Sequence, residues 1–167
     1  PLGLDDATPE FSWAVHTDAP QEAFSIELAT EAGFATQDIV WQSGTVHESR
    51  PFGARYARKP LHSRTRYWWR VSITSSDVTT EWSEPAWFET GLLGRESDLT
   101  ARWIAATDAG EDDRRALYFR NTAELDSVVV RARAYVSALG WYRLFINGQD
   151  ITGQALVPRW TPFDEAV

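Results

Sequence analysis

The chain has 167 residues, of which 43% are hydrophobic and 13% aromatic, enough to bury a core and unlike the composition of a disordered segment. A net charge of -8, with no lysine- or arginine-rich run, opposes the phosphate neutralisation that nucleic-acid binding depends on, and excludes nucleic acid as an expected partner. No stretch approaches the roughly 18 consecutive apolar residues of a membrane-spanning helix, so no membrane partner is expected, and the lack of cysteine excludes disulfides and thiolate metal sites.

Apolar residues recur with period two almost throughout, the signature of half-buried antiparallel strands. Phe11, Trp13 and Val15 alternate with Ser12, Ala14 and His16, and Phe24, Ile26 and Leu28 alternate with Ser25, Glu27 and Ala29. A short Ile39-Val40-Trp41 run stops at Ser43-Gly44, and a further segment around Arg55-Tyr56-Ala57 precedes Pro60. In the clearest strand, Tyr67, Trp69, Val71 and Ile73 share one face and Arg66, Trp68, Arg70 and Ser72 the other, so the first set belongs in a core. Trp87-Phe88-Glu89-Thr90 reads as the last strand of this region. Gly91-Leu92-Leu93-Gly94 followed by Arg95-Glu96-Ser97-Asp98 joins glycine to charge and predicts a domain boundary. Beyond it, residues 116–120, 127–136 and 139–146 are again strand-like. Asn147-Gly148, between Ile146 and Ile151, predicts a two-residue hairpin turn, because both positions tolerate positive φ. No segment sustains a helical period.

Leu61, Thr65-Arg66-Tyr67, the alternating strand, and Trp82-Ser83-Glu84-Pro85 leading into Trp87-Phe88-Glu89-Thr90 resemble the C-terminal half of a fibronectin type III module. That resemblance implies a corner fixed by the leucine and the tyrosine, with the tyrosine hydroxyl bonded to the main chain; another β-sandwich with similar turns is the alternative. A more specific resemblance covers nearly the whole chain. Gly3-Leu4-Asp5, Pro9-Glu10-Phe11-Ser12-Trp13, Trp41-Gln42-Ser43-Gly44, Tyr67-Trp68-Trp69-Arg70-Val71, Phe88-Glu89-Thr90-Gly91-Leu92-Leu93 and Ala101-Arg102-Trp103-Ile104 occur in the order seen at the start of bacterial α-L-rhamnosidases. Ala132-Arg133-Ala134-Tyr135, Gly140-Trp141-Tyr142-Arg143-Leu144-Phe145-Ile146-Asn147-Gly148 and Leu156-Val157-Pro158-Arg159-Trp160-Thr161-Pro162-Phe163 resemble the opening of that family's N-terminal β-sandwich domain. Gln42 and Arg159 depart from the aspartate and glycine usual in the family.

The resemblance implies an inverting hydrolase of terminal α-L-rhamnose whose acid and base carboxylates, roughly 6.5–9.5 Å apart, stand in a downstream (α/α)6 barrel that this chain does not reach. No residue here inherits a catalytic role, and neither cofactor nor metal is expected. The acidic clusters Asp5-Asp6, Glu111-Asp112-Asp113 and Asp164-Glu165 read as solvated surface. His16, His47 and His62 lack metal-ligand spacing or a nucleophile motif. Some members of the family have a second domain resembling calcium-dependent rhamnose-binding modules, but Asn147, Gln149 and Asp150 are too few for a cation that takes six to eight oxygens.

The tryptophans remain. Trp13, Trp69 and Trp87 fit core positions, whereas alternation puts Trp68 outward between Arg66 and Arg70, for cation–π packing or as a contact with a neighbouring domain or with sugar. The fold expected is all-β: residues 1–93 a fibronectin-III/immunoglobulin-like sandwich, and residues 100–167 an incomplete jelly-roll-type sandwich. The role expected is architectural support of a catalytic barrel, with a carbohydrate-binding module for rhamnosides as the alternative. Expected partners are the remaining domains of a longer enzyme or a second copy of the chain, and rhamnose-containing carbohydrate under the alternative. The lack of cysteine leans toward a cytoplasmic over a secreted location, although an opening at Pro1 leaves a removed leader open.

Overall fold

The computed structural model describes residues 1–16, 20–76, 78–94, 98–107 and 115–153, and its contacts divide the chain into two compact units, Pro1–Ala105 and Ala106–Val167. The described residues are all-β apart from one 3-10 turn at Thr36–Asp38. In the first unit, β1 (Leu2–Leu4), β3 (Ala23–Ala29), β4 (Ile39–Gln42), β6 (Arg66–Ser75), β7 (Val78–Thr79) and β8 (Ala86–Thr90) form a sheet in the order β1-β8-β6-β3-β4, with β7 also on β6. A second sheet pairs β2 (Glu10–Ser12) with β5 (Phe52–Arg55). The strand expected around Tyr56 therefore lies slightly earlier. Tyr56 itself is buried, and its N–H donates to the Pro9 carbonyl at 2.9 Å.

The core lies between the two sheets, because the alternating apolar residues of both point there. Ile26 pairs with Val71 and Leu28 with Trp69 across β3 and β6, and Tyr67 pairs with Phe88 across β6 and β8. From β2, Phe11 stacks on Trp41 at 6.0 Å and lies 5.0 Å from Trp69. Ile26 and Leu28 are fully buried, which stabilises by about 1.5–3 kcal/mol each. Trp13 lies edge-on to Phe24 at 4.8 Å, and its indole N–H donates to buried Gln21 at 2.9 Å, so a polar ring nitrogen enters the margin of the core with its hydrogen bond made.

The expected tyrosine corner is present: Leu61 and Tyr67 are buried, and the Tyr67 hydroxyl accepts the His62 N–H at 3.1 Å. β1 runs parallel to β8 and closes that edge. The Gly91 N–H donates to the Leu4 carbonyl at 2.7 Å, and a Cβ at Gly91 would stand 3.3 Å from the Gly3 oxygen, so the close approach of the two chains favours glycine. Beyond β8's reach, the 80–83 segment serves β6 in place of a strand. Ser83 and Thr80 donate N–H groups to the Val71 and Ile73 carbonyls at 2.8 and 2.9 Å, while their hydroxyls accept the Val71 and Ile73 N–H groups at 3.2 and 3.1 Å. The Trp82-Ser83-Glu84-Pro85 motif is thus a strand substitute.

In the second unit the described residues hold one hairpin, β9 (Phe145–Ile146) with β10 (Gln149–Asp150). Asn147 and Gly148 have φ of 50° and 83°, the conformation that a type I′ turn needs. Residues 116–120 and 127–136 do not form strands, and of 139–146 only Phe145–Ile146 does. Tyr118, Val128 and Val130 are at least 90% exposed, so these apolar stretches have no opposite layer among the described residues to bury against. The 156–163 motif lies outside the described residues.

Candidate functional site

The outer face of the larger sheet carries the candidate site. Its residues are presented by three adjacent strands: Glu27 on β3, Arg66, Trp68 and Arg70 on β6, and Trp87 and Glu89 on β8. Trp68 points outward, as alternation predicts. Trp87 does too. It pairs directly with Trp68 and so shares its face, while the core position on β8 belongs to Phe88, opposite Tyr67. The expectation of a core Trp87 is corrected by this register: with Trp87 and Phe88 adjacent and both aromatic, parity is decided only by the partner strand.

The two tryptophan rings stand 6.3 Å apart with planes at 53°, and both are half-buried. Arg66 lies 4.1 Å over the Trp87 ring and reaches Glu89 at 3.4 Å. Its Nε is buried without a hydrogen-bond partner, as fits a guanidinium held mainly by a ring face. Arg70 is gripped more fully. Its Nε and Nη2 both donate to Glu27 Oε2, at 2.9 and 2.6 Å, and its guanidinium lies over Phe34 at 4.2 Å and Trp82 at 4.8 Å. Gln42 donates to the other Glu27 oxygen at 2.6 Å. Phe34 holds φ of 49°, in the left-handed region, to reach this position from the loop after β3.

Chemically this is a ladder of alternating cations and rings with each cation neutralised by a buried carboxylate. Glu27 and Glu89 are only 6% and 4% exposed, so the face has little free charge and much half-covered aromatic surface. It suits packing or stacking, not proton transfer. Of the residues involved, the sequence singled out Trp68. Trp82, Phe34 and Glu27 were missed because their partner Arg70 is remote along the chain.

His16, His47 and His62 are all exposed and stand apart in sequence. Among the described residues no group of three histidine, aspartate or glutamate side chains is placed to hold a metal. Asp150 is engaged otherwise: its carboxylate accepts from Thr152 and pairs with Arg143, and these contacts hold its pKa below the usual range, the Thr152 hydroxyl first. Asp5-Asp6 lies near β1, where Asp6 caps the Thr8 N–H at 2.7 Å. Glu111-Asp112-Asp113 and Asp164-Glu165 lie outside the described residues.

Two sheets around one core, a tyrosine corner and a strand order with β1 on β8 define the first unit as an immunoglobulin-like β-sandwich. Residues 1–94 match the family model described as the Rha78A-like, N-terminal immunoglobulin domain, and the chain belongs to that family. Residues 127–167 match the α-L-rhamnosidase N-terminal domain. An α-L-rhamnosidase from Alteromonas sp. (strain LOR) is 32% identical over all of this chain and 20% of its own length; one from Streptomyces avermitilis is 34% identical over 90% of this chain and 17% of its own. The chain thus spans about a fifth of the length of these curated relatives. Among solved structures, Streptomyces avermitilis α-L-rhamnosidase complexed with L-rhamnose is similar over 64% of this chain and 11% of its own, at 41% identity and TM-score 0.58. The α-L-rhamnosidase from Dictyoglumus thermophilum is similar over 65% of this chain and 13% of its own, at 30% identity and TM-score 0.57. In these enzymes the region is a small part of a multi-domain protein.

Proposed function

We propose that this chain is the non-catalytic N-terminal accessory region of a glycoside hydrolase acting on terminal α-L-rhamnose, with residues 1–93 a complete sandwich and residues 100–167 the beginning of a second β-domain. Its role is architectural, holding accessory domains against the catalytic part of the enzyme. The observation that carries the reading is the match of the whole chain to a fifth of an α-L-rhamnosidase, over domains that are N-terminal by description. The ladder adds to it. A charge-neutral, half-covered aromatic face built on Trp68 and Trp87 suits contact with a neighbouring domain of the same enzyme, and we assign Trp68 that role.

The isolated chain should release no product from an aryl α-L-rhamnoside and give no heat on titration with millimolar L-rhamnose, with or without calcium. Turnover that survives removal of contaminating host enzyme would overturn the non-catalytic reading. Saturable heat with L-rhamnose, lost in Trp68→Ala, would replace the architectural role by that of a carbohydrate-binding module. Light scattering that shows a dimer would assign the contact to a second copy of the chain.

A further inference from the structure

The turn that carries the tyrosine corner also grips the chain leaving β8. Thr90 starts this grip: its hydroxyl donates to the His62 carbonyl at 2.6 Å and accepts the Thr65 N–H at 3.0 Å. Further on, the Ser63 hydroxyl accepts the Leu93 N–H at 2.8 Å and the Gly94 N–H at 3.3 Å, and donates its own proton to the Asp98 carboxylate. The same carboxylate oxygen accepts the Gly94 N–H at 2.5 Å. Arg64 adds two bonds, its N–H to the Gly91 carbonyl at 3.0 Å and its guanidinium to the Asp98 carbonyl. To make them it holds φ of 55°, in the left-handed region that a residue with a Cβ disfavours.

A serine hydroxyl has one proton and two lone pairs, and Ser63 uses all three here. The direction of the proton fixes the direction of the lone pairs. Asp98 takes the proton and thereby aims the lone pairs at Leu93 and Gly94, so it bears on an amide it does not touch. We infer that Ser63, Arg64 and Asp98 form a clasp that fastens the chain past the last strand of the first unit, at residues 91–94 and again at Asp98, to the turn of the tyrosine corner. The sequence reads a domain boundary here, yet Gly91, Leu93, Gly94 and Asp98 are each hydrogen-bonded to Ser63 or Arg64.

Amide exchange followed by NMR on the intact chain, on Ser63→Ala and on Asp98→Ala tests this. Leu93 and Gly94 should be protected in the parent and exchange about tenfold faster or more in each variant, while Ile26 and Val71 keep their protection. Unprotected Leu93 and Gly94 in the parent would overturn the clasp, as would unchanged Leu93 protection in Asp98→Ala. If Ser63→Ala also loosens Ile26 and Val71, the corner itself has failed, and Asp98→Ala, which lies outside every strand, decides alone.

Discussion

In the first unit Phe24, Ile26 and Leu28 alternate along β3 and are 5% exposed or less; in the second, Val128, Val129 and Val130 run consecutively and are 90%, 50% and 96% exposed. Both stretches are apolar, and Ala132 and Ala134 continue a period of two after the valine run. What separates them is the opposite layer. β3 lies across the core from Phe11 of β2 and Tyr56 after β5, so its inward residues have rings to pack on. For residues 115–153, the described part supplies no such layer, and only the 145–150 hairpin forms. Period two therefore marks a face, and a face becomes a buried strand only where a second sheet meets it. The hairpin survives because its signal is local, residing in Asn147 and Gly148 themselves.

The largest expected effect is in the first unit. Trp69→Ala should cost about 3–5 kcal/mol, since its ring packs on Phe11, and Trp68→Ala clearly less; denaturant midpoints of the two variants read the difference. The reverse order would mean that β6 is out of register by one residue. Glu27→Ala should cost about 3 kcal/mol by leaving Arg70 without its carboxylate on a largely buried face, and a loss below about 1 kcal/mol would show that face to be solvated. In the second unit the effects are smaller because less packing depends on any residue. Gly148→Ala should cost the hairpin about 1 kcal/mol through its positive φ, seen as a fall in cross-strand contacts between Phe145 and Asp150 by NMR.

The smallest effect is a pH dependence at the clasp. The Ser63 hydroxyl first, and then the Gly94 N–H, hold the Asp98 carboxyl below its usual pKa, with Arg64 the charged side chain beside it. Because the folded value is depressed, the clasp is at full strength above the usual carboxylate range and weakens as pH falls through the lowered value. Protection of Leu93, corrected for the intrinsic rate, should decline over that acidic window while that of Ile26 does not.

The sequence pattern made β3, β4, β6 and β8 of the first unit legible, including the register of Tyr67, Trp69, Val71 and Ile73, and the fibronectin type III resemblance implied the tyrosine corner. These depend on residues close together along the chain. It misplaced Trp87, because two adjacent aromatics give no parity and only pairing with β6 decides between them. It could not show that Glu27 meets Arg70, 43 residues away, or that Ser63 meets Asp98, 35 residues away. Both pairings are set by the sandwich topology and not by any local pattern. The strands expected at 116–120 and 127–136 overreached for the same reason: no opposite layer meets them among the described residues.

The contrast between the two units is tested most directly by hydrogen exchange across the intact chain, read segment by segment by mass spectrometry. Peptides covering β3 and β6 should exchange only with global unfolding, while those covering residues 116–136 should exchange at close to unprotected rates. Slow exchange throughout 116–136, matching that of β3 and β6, would contradict the account, because those residues would then be paired and buried in the isolated chain.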